Sequence, residues 1–267
     1  MKIITAPRNI KFLKQYTMGH REKFGNELFY IPDGLDALDD NSYCSIKAQN
    51  KLRNLKSKGK FSIEVLSLQD YLGKPGDLFR ALEKAKTIYV EGGNSFDLSR
   101  LMKVSGFSEW AHANIENPDL LWVGASAGIV STTDDLSTVS VYDNPEANHF
   151  GLDTDTYDGI GLLKSEMILP HYKSKQKPWA DGRHESDVVD SILQTRMKNG
   201  QATIPVHDET MFVKDLGSGE ETLVVGSDFT EEQTWLDIYK KSTFKQAIPT
   251  VIRYNLLGDK TDCVAIS

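Results

Sequence analysis

The sequence has few of the residues that build disulfide frameworks or membrane spans. Its 267 residues include two cysteines, Cys44 and Cys263, which are too few and too far apart for a disulfide framework or a thiolate metal site. The apolar run at the N-terminus ends within the first six residues, which is shorter than a signal-peptide core or a membrane span. We therefore expect a cytoplasmic protein with no membrane partner.

Positive charge is also scarce. The chain carries 31 lysines and arginines against 38 acidic residues, for a net charge of -7. A nucleic-acid-binding surface needs a basic stripe to neutralise phosphates. The one basic stretch, Lys51-Leu-Arg-Asn-Leu-Lys-Ser-Lys-Gly-Lys60, is typical of a solvated helix face. No nucleic-acid partner is predicted.

What remains is an ordinary globular composition, with 39% hydrophobic and 26% charged residues. We find no internal repeat, low-complexity tract or Pro/Ser-rich linker. The sequence predicts one α/β domain over 1–267, in which 210–267 is a β-rich C-terminal extension; a second small domain beyond Asp228 is the alternative. The extension would cap the active site or form the interface of a homo-oligomer.

Short apolar runs alternate with longer stretches of helical spacing, which indicates a mostly parallel, doubly wound sheet. Strands are predicted at Lys2–Ala6, Leu28–Ile31, Phe61–Leu68, Thr87–Val90, Leu120–Val123, Met167–Leu169 and Ala202–Val206. Helices are predicted at Ser42–Lys58, Gly76–Lys86, Ser95–Asn117 and Asp181–Lys198. A hairpin at Met211–Lys214 and Thr222–Val225 and two later strands, Thr250–Tyr254 and Cys263–Ile266, would form the extension.

The strongest motif is Gly124-Ala125-Ser126-Ala127-Gly128, directly after a buried-type strand. Small residues on both sides of a serine allow the sharp strand-to-helix turn of a nucleophile elbow, which exposes the serine Oγ at the sheet edge. The motif predicts that Ser126 is a catalytic nucleophile and that the chain is a serine hydrolase.

A serine needs a general base that a third group orients. Of the six histidines, His171 and His207 both end apolar runs and would therefore reach the carboxyl edge of the sheet. Asp134 and Asp135, about two helical turns after Ser126, are candidates for the orienting acid. About sixty residues follow His207, and this order disfavours a standard α/β-hydrolase, whose histidine comes late in the chain.

A second glycine motif, Gly92-Gly93-Asn94, follows a strand and precedes an amphipathic helix. Acyl transfer requires backbone N–H donors aimed at the developing oxyanion. The N–H of Ala127 would pair with that of Gly93 or Gly92 to form the oxyanion hole.

Taken together, Gly92-Gly93-Asn94, Gly124–Gly128, Thr132-Thr-Asp-Asp135 and Pro170-His171-Tyr172 resemble the peptidase E family of aspartyl dipeptidases. The resemblance runs from the first strand to about Phe212. It implies a fold like that of class I glutamine amidotransferases and a Ser-His-Asp relay of Ser126, His171 and Asp135. It implies no metal and no organic cofactor.

The resemblance also implies a small peptide substrate, a dipeptide with an N-terminal aspartate. Arg183 is the nearest match to the basic residue that the family uses to bind the aspartyl side chain, and its guanidinium suits a carboxylate. Asn94 and Glu91 are further substrate-binding candidates. Glu91 departs from the family, which tends to have a small residue there, and it would bind the substrate's amine or mark a different substrate.

The sequence thus predicts a serine exopeptidase that acts through an acyl-enzyme. One alternative is a cyanophycinase-like peptidase, which an acid-lined cleft would favour. The other is a non-catalytic amidotransferase-like module that binds a small molecule or partner.

Overall fold

A computed structural model describes residues 1–6, 10–36, 41–152, 157–173, 178, 182–226, 229–245, 249–254 and 264–266. The strands are β1 (Lys2–Thr5), β2 (Glu27–Ile31), β3 (Ser62–Val65), β4 (Thr87–Val90), β5 (Leu121–Gly124), β6 (Glu166–Tyr172), β7 (Ala202–His207), β8 (Met211–Asp215), β9 (Glu221–Gly226), β10 (Thr250–Tyr254) and β11 (Val264–Ile266). The helices are α1 (Ile10–Gly19), α2 (Arg21–Phe24), α3 (Asp33–Asp36), α4 (Asn41–Ser57), α5 (Pro75–Ala81), α6 (Ser95–Val104), α7 (Phe107–Ala113), α8 (Ala127–Val130), α9 (Glu185–Lys198) and α10 (Glu232–Thr243). None of these described helices is long and apolar enough to cross a bilayer.

The central sheet has nine strands in the order β11-β10-β9-β8-β1-β5-β4-β2-β3. The five strands from β1 to β3 pair in parallel, and β8 joins β1 in the antiparallel direction. Because β4, β5 and β1 are parallel neighbours, the loops that follow them meet at one edge. The predicted mostly parallel sheet is confirmed.

The sheet is buried on both faces. Neighbouring residues of β1, Ile3 and Ile4, belong to separate core clusters, as expected for side chains that alternate across a strand. Helices α6 and α9 pack on the face of Ile3, and α1 and α4 pack on the face of Ile4. This double burial explains the nearly continuous apolar strands of the sequence.

The strands β6 and β7 lie outside the central sheet, contrary to the prediction. They form a separate parallel pair, because both sides of β1 are occupied, by β5 and by β8. His171 and His207 therefore lie at the carboxyl end of this small sheet rather than at that of the central one.

Three predicted helices have different bounds. The helix predicted at Ser95–Asn117 is two helices, α6 and α7, separated at Gly106, whose φ of 84° is left-handed. A Cβ at Gly106 would lie 2.6 Å from Pro75 Cβ, so the close packing of the two segments requires glycine. The other two predicted helices are shorter: α5 ends at Ala81, and α9 begins at Glu185 rather than at residue 181.

The C-terminal extension continues the central sheet. The predicted hairpin of β8 and β9 is confirmed, but the helix α10 was not predicted. It connects β9 to β10, which pair in parallel. A parallel pair needs such a crossover connection. Trp235 of α10 is 1% exposed, and its Nε1 donates a hydrogen bond to the Pro205 carbonyl of β7.

We expect Trp235→Ala to lower the free energy of unfolding by about 3–5 kcal/mol, because it leaves a cavity between Phe212 and Tyr239, whose rings lie 6.5 and 5.1 Å from that of Trp235. Urea unfolding would show one cooperative transition for both proteins, as expected for a single domain. Met18→Ala, at a side chain 60% exposed, should change stability by less than about 0.5 kcal/mol. A separate early transition in Trp235→Ala would contradict the single domain.

Candidate active site

Ser126 lies on the turn between β5 and α8, with a φ of 46° and a ψ of -115°. Residues with a side chain rarely adopt this conformation, and it persists where the surrounding packing enforces it. Here the packing is tight: a Cβ at Gly128 would lie 2.3 Å from the Val90 carbonyl of β4, so only glycine fits. The turn therefore holds the serine side chain away from the core.

A cleft of about 290 Å³ opens beside Ser126 at the carboxyl ends of β1, β4 and β5. Of the predicted site residues, those that line it are Ser126, His171, Glu91 and Gly92. His207, the second histidine candidate, also lines it. The cleft thus brings together the serine, both histidines and the first glycine of the Gly-Gly-Asn motif.

His171 lies at a β-bulge in β6, where the register with β7 shifts, and it has a φ of 65°. A bulge redirects a side chain, and here Nδ1 of His171 lies 2.9 Å from Oδ1 of Asp208. The side chains are 19% and 7% exposed, respectively. A carboxylate on Nδ1 fixes the ring orientation and favours the tautomer whose Nε2 can accept a proton.

Asp135, the predicted acid, makes other contacts. Its carboxylate accepts hydrogen bonds from the Ser137 N–H and the Gln201 side chain, at 2.8 and 2.9 Å. Asp134 accepts one from the Ser165 N–H. The structure therefore corrects the choice of acid: neither side chain is the hydrogen-bond partner of His171 Nδ1, and Asp208 is. The reason is that Asp208 directly follows β7, the parallel neighbour of β6.

His207 is buried beside the same cleft, and its Nδ1 accepts a hydrogen bond from the Glu209 N–H at 3.1 Å. Its ring packs edge-on against Phe229 at 5.4 Å. These contacts hold the ring in place without a carboxylate on Nδ1. Of these two cleft histidines, His171 is the one whose Nδ1 contacts a carboxylate, that of Asp208.

The Gly92-Gly93 loop packs directly against the serine, since a Cβ at Gly92 would lie 2.9 Å from Ser126 Cβ. Gly93 has a φ of 145° and touches the Gly34 carbonyl, where a Cβ would lie at 1.5 Å. The Gly92 N–H donates to Glu91 Oε1 at 3.0 Å, which corrects its predicted role as an oxyanion donor. Ala127 is the first residue of α8, so its N–H has no acceptor within the helix.

Glu91 is 2% exposed and lines the cleft. Besides the Gly92 N–H, its carboxylate accepts a hydrogen bond from the Tyr30 hydroxyl at 3.0 Å. Because both carboxylate oxygens accept hydrogen bonds from protein groups, Glu91 fixes the glycine loop beside Ser126.

Asn94, predicted to bind substrate, instead caps a helix. Its side-chain oxygen accepts hydrogen bonds from the N–H groups of Phe96 and Asp97 at the start of α6. Its Nδ2 donates to the Asn144 carbonyl at 3.0 Å. The side chain is thereby committed to structure, and it is not among the described residues that line the cleft.

Arg183 also lies apart from the described lining of the cleft. The helix α9 begins two residues later, and Arg183 is exposed, with Nη1 at 3.3 Å from the Val141 carbonyl. The sequence predicted that the Arg183 guanidinium would lie on a helix and face the substrate. In the structure Arg183 precedes the helix and is not among the described residues that line the cleft.

Tyr142, Glu185 and Lys51 also line the cleft. The Tyr142 hydroxyl donates to Glu185 Oε1 at 2.6 Å, and Tyr142 lines the same cleft as Ser126. Burial, and then the charge of Glu185, raise the pKa of Tyr142 well above its usual value. In the sequence, the available signal for Glu185 was its place as an acidic residue near the start of a predicted helix. Tyr142 lies in a stretch without periodicity, which gave no such signal.

Lys51 belongs to the basic stretch predicted to be a solvated helix face. Instead its Nζ lies 5.5 Å from the ring centre of Tyr89, and the residue lines the cleft. Lys51 is on α4 and Glu185 is on α9, so the two charges come from helices on opposite faces of the central sheet.

His171, Glu185 and Asp208 form a compact charged group, in which one ligand-type atom of each lies within 4.8 Å of the others. Within the described part of the chain, this is the group whose donor atoms could hold a metal ion. The 2.9 Å contact between His171 and Asp208 is that of a hydrogen-bonded pair.

A smaller cavity of about 20 Å³ lies beside Ser126, and His171 and Asp143 also line it. The Asp143 carboxylate accepts a hydrogen bond from the Ser95 N–H at 2.8 Å. Burial raises the pKa of Asp143 to about 6, and the hydrogen bonds from Ser95 oppose this rise.

Comparison with known proteins gives one family. The model of Peptidase family S51 matches residues 9–215. An uncharacterized peptidase of Listeria innocua is 28% identical over 133 residues, which are 50% of this chain and 61% of that protein. An uncharacterized peptidase of Listeria monocytogenes is 29% identical over 99 residues, which are 37% of this chain and 46% of that protein. The alignments thus span less than two thirds of the length of these curated relatives.

Two solved structures share the fold. One, from Listeria monocytogenes and provisionally described as a peptidase E, has a TM-score of 0.63 at 19% identity and covers 83% of this chain and 96% of its own. The other, a peptidase from an acI-B1 actinobacterium, has a TM-score of 0.53 at 14% identity and covers 80% of this chain and 82% of its own. At these identities the likeness shows the fold.

We expect Asp143→Asn to change how stability depends on pH. The folded pKa of about 6 exceeds the ordinary value of 3.8, so the folded state binds more protons between these values. The contribution of this carboxyl to stability is thus present below about pH 4 and is lost as the pH rises through about 6. Urea unfolding should show that Asp143→Asn gains about 2 kcal/mol relative to the parent between pH 4 and pH 7. The exposed Glu146→Gln should track the parent; parallel curves for Asp143→Asn would contradict the assignment.

Proposed function

Because the chain belongs to peptidase family S51, we propose that it is a serine exopeptidase that hydrolyses short peptides through an acyl-enzyme on Ser126. The observation that carries the proposal is the cleft, which joins Ser126 on its strained turn to the hydrogen-bonded pair of His171 and Asp208. A nucleophile, a base and a group that orients the base are the three parts that acyl transfer requires.

In this mechanism Nε2 of His171 accepts the proton of Ser126 as Oγ attacks the peptide carbonyl, and then gives it to the leaving amine. Asp208 holds Nδ1–H and stabilises the imidazolium that forms. The relay is therefore Ser126, His171 and Asp208, with Asp208 in the role first expected of Asp135.

The oxyanion would be held by the N–H groups of Ala127 and Gly93. Ala127 follows the nucleophile at the start of α8, where N–H groups point toward the turn. Gly93 is next to Gly92, whose Cα packs against Ser126. Each such donor typically contributes roughly 3–4 kcal/mol to transition-state stabilisation.

The charges of the cleft bear on the substrate. Among the described lining residues, the carboxylates are those of Glu91, Glu185 and Asp208, and the cation is Lys51. A preference for N-terminal aspartate stays a prediction, and Arg183 does not support it. The acid-rich lining favours a second candidate, a cyanophycinase-like peptidase acting on aspartate-arginine dipeptide units.

Lys51 supports a short substrate. It lines the cleft from a helix on the opposite face of the central sheet to that of Glu185, and its ammonium can bind the carboxylate at the C-terminus of a leaving amino acid. A longer peptide has a neutral amide at that position and would gain nothing from the charge. We therefore propose dipeptides as the preferred length.

The first experiment is incubation of the purified protein with α-linked dipeptides, including aspartyl ones, and with β-aspartyl-arginine. We expect release of the N-terminal residue and loss of all turnover in Ser126→Ala. No hydrolysis of any peptide, amide or ester by the parent protein would refute the catalytic proposal and favour the binding module.

Two matched variants identify the acid. Asp208→Asn removes the charge that orients His171 and should lower kcat by about 10³–10⁴-fold. Asp135→Asn should stay within a few-fold of the parent. The reverse result would return Asp135 to the relay.

For Lys51→Ala we expect a KM for dipeptides that is about 10- to 100-fold higher, because a charge-assisted contact contributes about 1.5–3 kcal/mol. Hydrolysis of the matching aminoacyl p-nitroanilide, which lacks the carboxylate, should be unchanged. Lys56→Ala, an exposed position on the same helix, is the control. Equal losses on both substrates would mean that Lys51 has no role in binding the C-terminus.

A further inference from the structure

Glu185 has no role in the proposed relay of Ser126, His171 and Asp208. It is the first residue of the 14-residue helix α9 and is 5% exposed, yet it lines the cleft. The N-terminus of a helix stabilises a negative charge. A carboxylate is therefore held at the wall of the substrate cleft, on the same side as the catalytic histidine.

Two contacts place Glu185 beside the proposed relay. Its Oε1 accepts a hydrogen bond from the Tyr142 hydroxyl at 2.6 Å. One ligand-type atom each of Glu185, His171 and Asp208 also lie within 4.8 Å of one another. Because Glu185, His171 and Ser126 line the same cleft, the carboxylate lies beside the space that a substrate would occupy.

This position suits one group of a peptide. In the attacked residue the α-nitrogen is about 2.5 Å from the carbonyl carbon, and that carbon approaches Oγ to about 3–3.5 Å. An ammonium in this position can contact Glu185 directly, since charge-assisted N–H···O contacts span about 2.7–2.9 Å. A lysine or arginine side chain carries its charge at the end of a long stem, beyond this position.

Glu91, the earlier candidate for binding an amine, is placed differently. Both of its oxygens hold groups of the protein, the Tyr30 hydroxyl and the Gly92 N–H. Its carboxylate therefore serves the glycine loop, whereas that of Glu185 lies beside His171 in the wall of the cleft.

We infer that Glu185 binds the free α-ammonium group of the substrate and so restricts cleavage to the bond after the N-terminal residue. This inference rests on the proposed function and adds the determinant of its exopeptidase specificity. Because Lys51 also lines it, the cleft would bind the two charged ends of a dipeptide, whatever the charge of its first side chain.

The test compares three substrates on the full chain: dipeptides of the form Xaa-Ala, the same peptides N-acetylated, and p-nitrophenyl acetate, which acylates serine but has no amine. Glu185→Gln should lower kcat/KM for free dipeptides by about 30- to 1000-fold, the cost of removing one partner of a buried charge pair. Acylation by p-nitrophenyl acetate should stay within a few-fold of the parent. Asp187→Asn removes an exposed charge from the same helical turn and should leave all three rates unchanged.

Each outcome has a separate meaning. If the parent protein hydrolyses none of the three substrates, the proposed function fails. If it cleaves free and acetylated dipeptides equally well, the inference fails while the proposed function stands. If Glu185→Gln slows p-nitrophenyl acetate as much as dipeptides, Glu185 positions His171 and the inference is wrong. Should Glu185→Gln not fold, Glu185→Asp gives the same comparison, with the preference for a free amine reduced but present.

Discussion

The site depends on the close approach of three backbone segments at the carboxyl ends of β4 and β5. The turn at Ser126, the Gly92-Gly93 loop and α3 touch through main-chain atoms, because a Cβ at Gly34, Gly93 or Gly128 would lie 2.7, 1.5 or 2.3 Å from a carbonyl oxygen of a neighbouring segment. Strain at a non-glycine residue persists only where the surroundings enforce it. Here the enforcement comes from a sheet buried on both faces, which fixes the ends of its strands.

The proposed base and its acid come from a second structural unit. β6 and β7 pair in parallel outside the central sheet, and α9 and α10 pack against them. The bulge that turns His171 and the position of Asp208 after β7 are both consequences of this pairing. Ser126 and His171, the proposed nucleophile and base, are therefore held by separate sheets, and the cleft forms where the two sheets meet.

The charges of the cleft follow the same division. Helices on opposite faces of the sheet contribute Lys51 and Glu185, and the loop after β4 contributes Glu91. Burial and hydrogen bonds then give similar carboxylates different tasks. Glu91 holds the glycine loop, Asp208 contacts the imidazole of His171, and Glu185 contacts the Tyr142 hydroxyl and lies beside His171. The substrate preference proposed for this protein rests on that division rather than on a single arginine.

The sequence alone determined the features that are local. Alternating apolar runs predicted the parallel sheet, and small residues after a strand predicted the turn at Ser126, because periodicity and steric freedom depend on neighbouring residues. Only the tertiary structure decided that Asp208 rather than Asp135 contacts His171, that Arg183 lies outside the described lining of the cleft, and that Lys51 and Glu185 lie within it. These are contacts between strands and helices far apart in the chain, and sequence spacing contains no measure of how such elements pair or which faces they bury.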